Sequence, residues 1–333
     1  MLLSVEELRQ LGLKVFCTAG VPEPVAACVT DALVLAELDG IGSHGFARIP
    51  FYADQARTGK VAVNAAPELA TPAPTVVRVD ARNNYAFPAI SAGLEKAIPL
   101  CREYGTALVG ITRSHHCGVL GHFVERIAEQ GLMALGFANT PAAMAPWNGC
   151  KATFGTNPLA FGCPRKPHPL VLDMSLSKVA RGKVMNARQK GQPIPEGWAL
   201  DCDGKPTTDP ARALGGTMIP FGDAKGAALA LMVEILAATL NGANHAYEAS
   251  SFFEAEGAAP GTGQTFFLMD PTRLNPSFPA TLEALCAHIL GQEGTRLPGA
   301  RRIQLRAQNT ARGVELPDAL YNDLCKRAEQ PAR

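Results

Sequence analysis

The sequence predicts a mixed α/β protein of the α+β type, in which helices at the chain start precede a sheet of short apolar strands. Three observations carry this reading. Residues 4–19 and 22–38 place apolar side chains with helical period. Residues 107–112 and 132–139 are short, almost wholly apolar runs of the kind that form buried strands. No GxGxxG follows any predicted strand, which argues against a Rossmann dinucleotide fold.

Taken in order, the second helix opens at Pro22 and Pro24, where missing amide donors do no harm. Gly40 and Gly42 then break the helical pattern, Ser43 suits an N-cap, and a new helix is expected to begin there. On it His44, Arg48 and Tyr52 would fall at i, i+4 and i+8 and share one face. A proton donor, a cation shaped for a carboxylate and a phenol would line up. For one isolated motif, an N-cap serine with an exposed histidine and arginine is the commoner outcome.

Past Thr58-Gly59 and a stretch rich in Pro and Ala, residues 75–80 alternate with period two and read as a strand. Residues 87–104 give a helix ended by Gly105. The strand at 107–112 delivers the chain to Arg113-Ser114-His115-His116-Cys117-Gly118-Val119-Leu120-Gly121-His122, which opens a helix over 118–130. Three histidines and a cysteine invite a metal, yet adjacent His115 and His116 would point apart and neither HExxH nor paired CxxC is present, so no metal is assigned. A strand-to-helix turn whose glycines admit an anion or a planar ring is the better reading. A non-catalytic metal- or anion-binding protein using His115, His116, Cys117 and His122 is the rival from another class.

The strand at 132–139 and the segments 153–161 and 169–175 each end in Asn, Thr, Asp or Ser, suggesting a sheet with a polar rim. Local turn hydrogen bonds alone would account for Asn157 and Asp173. Residues 178–190 look helical and basic, and the prolines of 193–201 speak against regular structure there. Phe221 to Gly226 lacks the GxxxxGK[ST] of a phosphate loop. The helix 226–241 is apolar nearly all round and is expected at the centre of a domain. Residues 245–264 read as a long irregular segment that could reach a partner's site, 265–269 as a last strand, 278–291 as an amphipathic helix and 317–328 as the closing helix. Between those helices Arg296, Arg301 and Arg302 surround a Pro-Gly turn, a candidate phosphate site unless it is a solvated basic turn.

Composition narrows the function classes. In 333 residues, 47% hydrophobic and 18% charged with net charge +1, no long-range field exists for nucleic acid or an anionic membrane. A small-molecule site is the expectation. The start does not read as a signal peptide, and the longest apolar run, Gly226 to Leu240, is too short for a bilayer and contains Glu234. Nine cysteines without a CxxC pair point to reduced thiols in a cytoplasm.

Six separated motifs occur in one order: SHGxxRxxxY at 43–52, SHHCG at 114–118, Pro-Trp and GTNP within 146–158, LDMS at 172–175, IPEGWALDxxGxPTTDP at 194–210 and RLPG at 296–299. Together they resemble the type-2 malate/L-lactate dehydrogenase family, which also holds sulfolactate and ureidoglycolate dehydrogenases and the Δ1-piperideine-2-carboxylate/Δ1-pyrroline-2-carboxylate reductases. The resemblance implies a homodimeric nicotinamide oxidoreductase with a non-Rossmann cofactor domain on a largely antiparallel sheet. That domain is expected over 115–275, with a helical, discontinuous substrate and dimerisation domain from 1–114 and 276–333.

The resemblance also implies roles. His44 is the expected proton donor with Ser43 as its partner, and Arg48 the clamp on a substrate carboxylate, with Thr156 a further substrate contact. His116 is the alternative acid/base, and His116, Cys117, Gly118, Val119 and Leu120 form the loop beside the nicotinamide. Asp173, Met174, Ser175, Gly182, Lys183 and Lys225 are expected cofactor contacts, as are Arg296, Gly299 and Arg301. Three arginines there would suit a 2′-phosphate, favouring NADPH, with NADH possible. A carboxylate completing the Ser–His relay is not placed by the sequence, Asp201 being a guess. The stretch Glu248 to Gly257 is similar to the cyclic-imine reductases, giving reduction of Δ1-piperideine-2-carboxylate and Δ1-pyrroline-2-carboxylate to L-pipecolate and L-proline as the expected reaction. The alternative is an NAD(P)-dependent 2-hydroxy acid dehydrogenase of malate, lactate, ureidoglycolate or sulfolactate type.

Overall fold

In the computed structural model, which describes residues 1–330, the two chain ends are tied together: β1 (Leu2–Leu3) pairs antiparallel with β12 (Val314–Glu315). α1 (Val5–Thr18) begins at a reciprocal cap, the Ser4 hydroxyl accepting the Glu7 amide while the Glu7 carboxylate accepts the Ser4 amide. α2 (Glu23–Leu38) follows Pro22 and packs on α1, which also meets the closing helix α11 (Asp318–Glu329). Leu8, Val15, Phe16, Val29 and Leu33 from the first two helices are buried in their shared core.

The helix expected at Ser43 does not start there. Residues 42–44 and 46–48 form two successive 3₁₀ turns, and α3 (Ile49–Arg57) begins only at Ile49. The cause is Glu37, in the last turn of α2, whose buried Oε1 accepts the Phe46 amide at 2.6 Å. Its carboxylate occupies the space that a Cβ at Gly45 would need, so the backbone wraps around the acid instead of entering a helix. Ser43 is therefore not an N-cap, and His44, Arg48 and Tyr52 do not lie along one helix face.

Seven strands form the main sheet. β2 (Glu68–Ala73), β3 (Val76–Asp80), β4 (Thr106–Ser114), β5 (Met133–Ala138), β6 (Leu159–Cys163), β7 (Leu170–Met174) and β11 (Thr262–Met269) lie in the order β2-β3-β4-β11-β5-β6-β7. Every neighbouring pair is antiparallel except β3 with β4. The largely antiparallel, non-Rossmann sheet is thus as expected, and it draws strands from both sides of residue 114. β2 was not foreseen; it is an exposed edge strand containing Pro72, which an edge tolerates.

α4 (Ala86–Tyr104) crosses from β3 to β4 and presses on them at Gly93, where a Cβ would stand 2.8 Å from a Val109 methyl. Gly105, in the left-handed region at φ 88°, ends it. α5 (Leu120–Glu129) covers β5, β6 and β7 from the same layer. On the other side α6 (Arg181–Gln189), α7 (Pro210–Gly215) and a small sheet of β8 (Ala199–Leu200), β9 (Pro206–Thr207) and β10 (Thr217–Met218) enclose a second core around Met144, Leu176, Ile194 and Val233. The proline-rich 193–201 stretch therefore does contribute a short strand.

α8 (Ala224–Ala237) packs Ala230, Val233 and Ala237 into that second core, but Leu231, Met232 and Ile235 remain exposed, so it is not the fully enclosed helix expected. With the 3₁₀ turn that follows, its apolar run reaches 18 residues, long and apolar enough by composition to cross a membrane. Glu234 is nevertheless buried at its centre, accepting from the Asn139 and Asn157 side-chain amides at 3.2 and 2.7 Å and from the Ala246 amide at 2.7 Å. Asn157 thus makes a long-range tie, not the local turn bond expected of it. α9 (Phe278–Leu290) buries only Cys286, and α10 (Ala300–Arg312), not foreseen, lies against α2.

Candidate active site

Two loops meet at the site: the paired 3₁₀ turns after α2, and the turn between β4 and α5. The His44 and His116 rings lie 5.4 Å apart, centroid to centroid, with 32° between their planes. Ser43 Oγ stands 3.0 Å from His44 Nδ1, and Tyr52 Oη 2.5 Å from His116 Nδ1. Each imidazole is therefore held at Nδ1, while no protein hydrogen bond engages Nε2 of either ring among the described residues. Sequence reasoning gave Tyr52 no role; its fully buried ring is itself fixed at the backbone, where its carbonyl accepts the Tyr85 hydroxyl at 2.7 Å.

Burial, then the Arg48 and His122 charges, pushes the His44 pKa down to about 3. Burial likewise holds His116 well below the ordinary histidine value, helped by Arg48, His44 and His115, and burial raises Tyr52 above the usual phenol value. At neutral pH the pair is uncharged and the phenol protonated. Arg48 supplies the positive charge. Its Nε donates to the Ser43 carbonyl at 2.8 Å, its guanidinium carbon lies 4.6 Å over the Phe253 ring, and its Nη1 is buried without a partner among the described residues. A buried, unsatisfied guanidinium edge beside two neutral imidazoles is a site prepared for an anion that also needs a proton.

His115 faces elsewhere. Gln55 Nε2 donates to the Phe252 and Glu254 carbonyls at 3.1 and 2.9 Å, which fixes the amide so that Oε1 faces His115 Nε2 at 2.9 Å. That nitrogen must carry the proton. His122 Nε2 pairs with Asp39 Oδ2 at 2.8 Å. The three histidines thus have separate partners, and among the described residues no group of His, Cys, Asp or Glu is arranged to hold a metal.

The residues expected at a nicotinamide and its nucleotide fall into two places. Cys117, Val119 and Leu120 are buried, with the Cys117 thiol pushed up to about 12 by burial and then Asp173. Gly118 sits at φ 67°, where a Cβ would meet Phe87 at 3.0 Å. A cleft of about 640 Å³ is lined by Asp39 to Ile41, Val171 to Asp173, Arg296 to Gly299, Arg301 and Arg302. It brings together Asp173, Arg296, Gly299 and Arg301. Asp173 is occupied there, its Oδ2 accepting the Gly121 amide at 2.8 Å, which is again not a local turn bond.

One arginine of the expected three is otherwise engaged. Arg302 lies 3.3 Å from Asp39 and 3.4 Å from Glu125, in a buried cluster that Arg306 completes, whereas Arg296 and Arg301 are exposed. Two free guanidinium groups on a cleft of this size fit the phosphate end of a nicotinamide nucleotide. Met174 is half-buried in β7, and Ser175 Oγ is 3.3 Å from Ser177 Oγ. Gly182 and Lys183 open α6 and Lys225 opens α8; none of the three lines the cleft. Thr156 accepts at neither histidine; its amide donates to Thr140 Oγ1 at 3.0 Å. Asp201 accepts the Lys205 and Asp203 amides and meets Arg212, a turn anchor with no tie to His44. A larger groove of about 930 Å³, between α5, α9 and α10, contains none of the expected site residues.

Glu37 and Gln55 were missed. A lone acid closing the apolar Leu33 to Leu38 turn was the available signal, since an unpaired carboxylate is rarely buried without a task. The 245–264 segment was expected to be able to reach a partner's site; here it docks on its own α3 and the residues just after it, through Gln55, Thr58 and Lys60.

A sequence profile described as malate/L-lactate dehydrogenase matches residues 3–325. The chain is 51% identical, over 97% of both proteins, to a (2R)-3-sulfolactate dehydrogenase (NADP(+)) from Chromohalobacter salexigens. It is 37% identical to a Δ1-pyrroline-2-carboxylate/Δ1-piperideine-2-carboxylate reductase from Pseudomonas aeruginosa, over 97% of this chain and 98% of that one. The crystal structure of Δ1-piperideine-2-carboxylate reductase from Pseudomonas syringae superposes with a TM-score of 0.91 at 37% identity, covering 98% of this chain and 99% of that one. With a match this continuous joining the fold to the histidine and arginine loops, the chain belongs to the malate/L-lactate dehydrogenase family of nicotinamide-dependent oxidoreductases.

Proposed function

We propose that this enzyme uses NADPH to reduce C2 of small carboxylates bearing a C=N or C=O at that carbon, with Δ1-piperideine-2-carboxylate and Δ1-pyrroline-2-carboxylate as substrates and L-pipecolate and L-proline as products. The observation that carries the reading is the buried, unpartnered Nη1 of Arg48 beside the His44–His116 pair. Arg48 accepts the carboxylate as a fork, with Thr156 as a further contact, and holds C2 near both imidazoles. When bound, the reduced nicotinamide supplies the hydride that C2 receives. His44, supported by Ser43, delivers a proton to the substrate nitrogen or oxygen, and His116, held by Tyr52, is the other proton carrier. Burial is the main cause of the low His44 proton affinity, and a carboxylate on Arg48 would offset only the smaller part that the Arg48 charge adds to it.

On the cofactor side, His116 to Leu120 would hold the nicotinamide end, Asp173 to Ser175, Gly182, Lys183 and Lys225 would contribute further contacts, and Arg296, Gly299 and Arg301 would hold the nucleotide phosphates. Two free arginines support NADPH over NADH. The division into a cofactor part (115–275) and a substrate and dimerisation part (1–114 and 276–333) follows those roles. A cytoplasmic homodimer is part of the same proposal; nine unpaired thiols and the apolar, largely uncovered α9 are in keeping with it.

A second reading is favoured by the relative of 51% identity, named for (2R)-3-sulfolactate: oxidation of a 2-hydroxy acid carrying a second anion. NADPH consumption measured side by side with the two cyclic imines, sulfopyruvate, pyruvate and oxaloacetate, then repeated with NADH, decides between them. The imines should be turned over fastest. Faster turnover of sulfopyruvate would replace the imine reading by the second one.

A further inference from the structure

The segment 251–255 is attached to the site in an unusual way. Lys60 Nζ donates to the Ser251 and Glu254 carbonyls at 2.8 and 2.9 Å, Gln55 Nε2 to those of Phe252 and Glu254, and Thr58 Oγ1 to that of Ala255 at 2.7 Å. All five bonds end on backbone oxygens. Gln55 and Lys60 are both buried, so the attachment is enclosed, yet it places no demand on which side chains the segment carries.

Those side chains line the substrate site. Phe252 is buried against the His115 and His116 rings, at 5.2 and 5.1 Å. Phe253 stays 39% exposed, has the Arg48 guanidinium carbon 4.6 Å from its ring centroid and meets Phe51 edge to face at 5.3 Å. The ring covers the guanidinium carbon while Nη1 has no partner among the described residues and is available to a ligand. A ligand carboxylate held by Arg48 therefore lies beside an apolar phenyl ring.

We propose that Phe253 is the specificity-determining residue of this enzyme: it reads the substituent beyond C2, favouring an apolar body over a second anion. This rests on the function proposed above. The docking on Gln55, Thr58 and Lys60 makes position 253 exchangeable without loss of the fold, so one fixed chemistry at C2 can be offered to different substrates. Phe253 acts on the substrate directly through its ring and on the carboxylate through Arg48.

The test compares Phe253→Lys, Phe253→Leu and the unaltered enzyme with NADPH, using Δ1-pyrroline-2-carboxylate and sulfopyruvate as the two substrates. The expected result is a shift of the kcat/KM ratio toward sulfopyruvate by at least tenfold in Phe253→Lys, carried by KM, with the KM for NADPH unchanged. Phe253→Leu should retain the preference of the unaltered enzyme for the imine while raising KM for both. Thermal midpoints within a few degrees of one another show that folding is intact. Equal losses on both substrates in Phe253→Lys would overturn the proposal and leave Phe253 a packing residue. If the unaltered enzyme turns over neither substrate, the function proposed above fails first, and differential protection of Phe253→Lys and the unaltered enzyme against thermal unfolding by pyruvate and by sulfopyruvate still reads out the specificity claim: identical protection overturns it.

Discussion

The Tyr52 hydroxyl and His116 Nδ1 stand 2.5 Å apart inside a buried aromatic group that also holds Tyr85, His115 and Phe252. The contact holds the His116 ring at Nδ1, with its centroid 5.4 Å from that of His44. Tyr52→Phe keeps the ring and removes the oxygen, so it isolates this contact. The expected outcome is a kcat lower by about tenfold, from the loss of one hydrogen bond of roughly 1–1.5 kcal/mol, with KM little changed. Steady-state kinetics at fixed NADPH measure it, and an unaltered kcat would remove Tyr52 from the site's working parts.

Acid sensitivity follows from the buried histidines. His44 and His115 lie at about 3 and His116 well below its ordinary 6.5 in the folded protein, in each case first because burial disfavours the cation. The unfolded chain therefore binds more protons than the folded one as pH falls below 6.5. Stability from this source is fully present above that pH and is lost progressively toward about pH 3. Urea midpoints should be level between pH 7 and 8 and fall at pH 5, and His115→Asn should lessen the fall. A midpoint independent of pH over this window would contradict it.

Arg301 and Arg302 are neighbours with different tasks. Arg301 is exposed on the cleft, whereas Arg302 is committed to Asp39 and Glu125. Arg301→Ala should raise KM for NADPH severalfold, leave KM for NADH unchanged and hardly alter the melting temperature. Arg302→Ala leaves two buried carboxylates short of a partner and should destabilise the fold by about 3 kcal/mol. Cofactor KM values and denaturant titrations of the two variants separate these effects.

Glu234 joins α8 to the rim of the main sheet through Asn139, Asn157 and the Ala246 amide. Replacement by leucine strands these buried donors, at roughly 1–3 kcal/mol for each one left unmade. Glu234→Leu should therefore lower stability by about 3 kcal/mol or more in urea titration, and Glu234→Gln by less.

The architecture was largely legible because it rests on period and punctuation. The helices at 4–19 and 22–38, the apolar strand at 107–112 and the Gly105 stop follow from local rules that tertiary contacts did not override. The failures have a common physical origin in side chains that act at long range. Ser43 has the chemistry of a cap, but Glu37, six residues earlier, captures the Phe46 amide and keeps the segment in 3₁₀ turns. Arg302 looks like its neighbours until the fold brings Asp39 and Glu125 to it. α8 reads as a fully enclosed helix because composition does not tell which of its sides the chain itself will cover. The site residues were gathered by motif; the pairing of Tyr52 with His116, and the face of Phe253 over Arg48, required the fold.

The most direct measurement compares Δ1-pyrroline-2-carboxylate with its carboxamide, in the unaltered enzyme and in Arg48→Met, by kcat/KM with NADPH. Two charge-assisted bonds from the guanidinium, at roughly 1.5 kcal/mol each, should favour the carboxylate about a hundredfold in the unaltered enzyme and lose that preference in Arg48→Met. A preference for the carboxylate that survives the loss of Arg48 would contradict the proposed site.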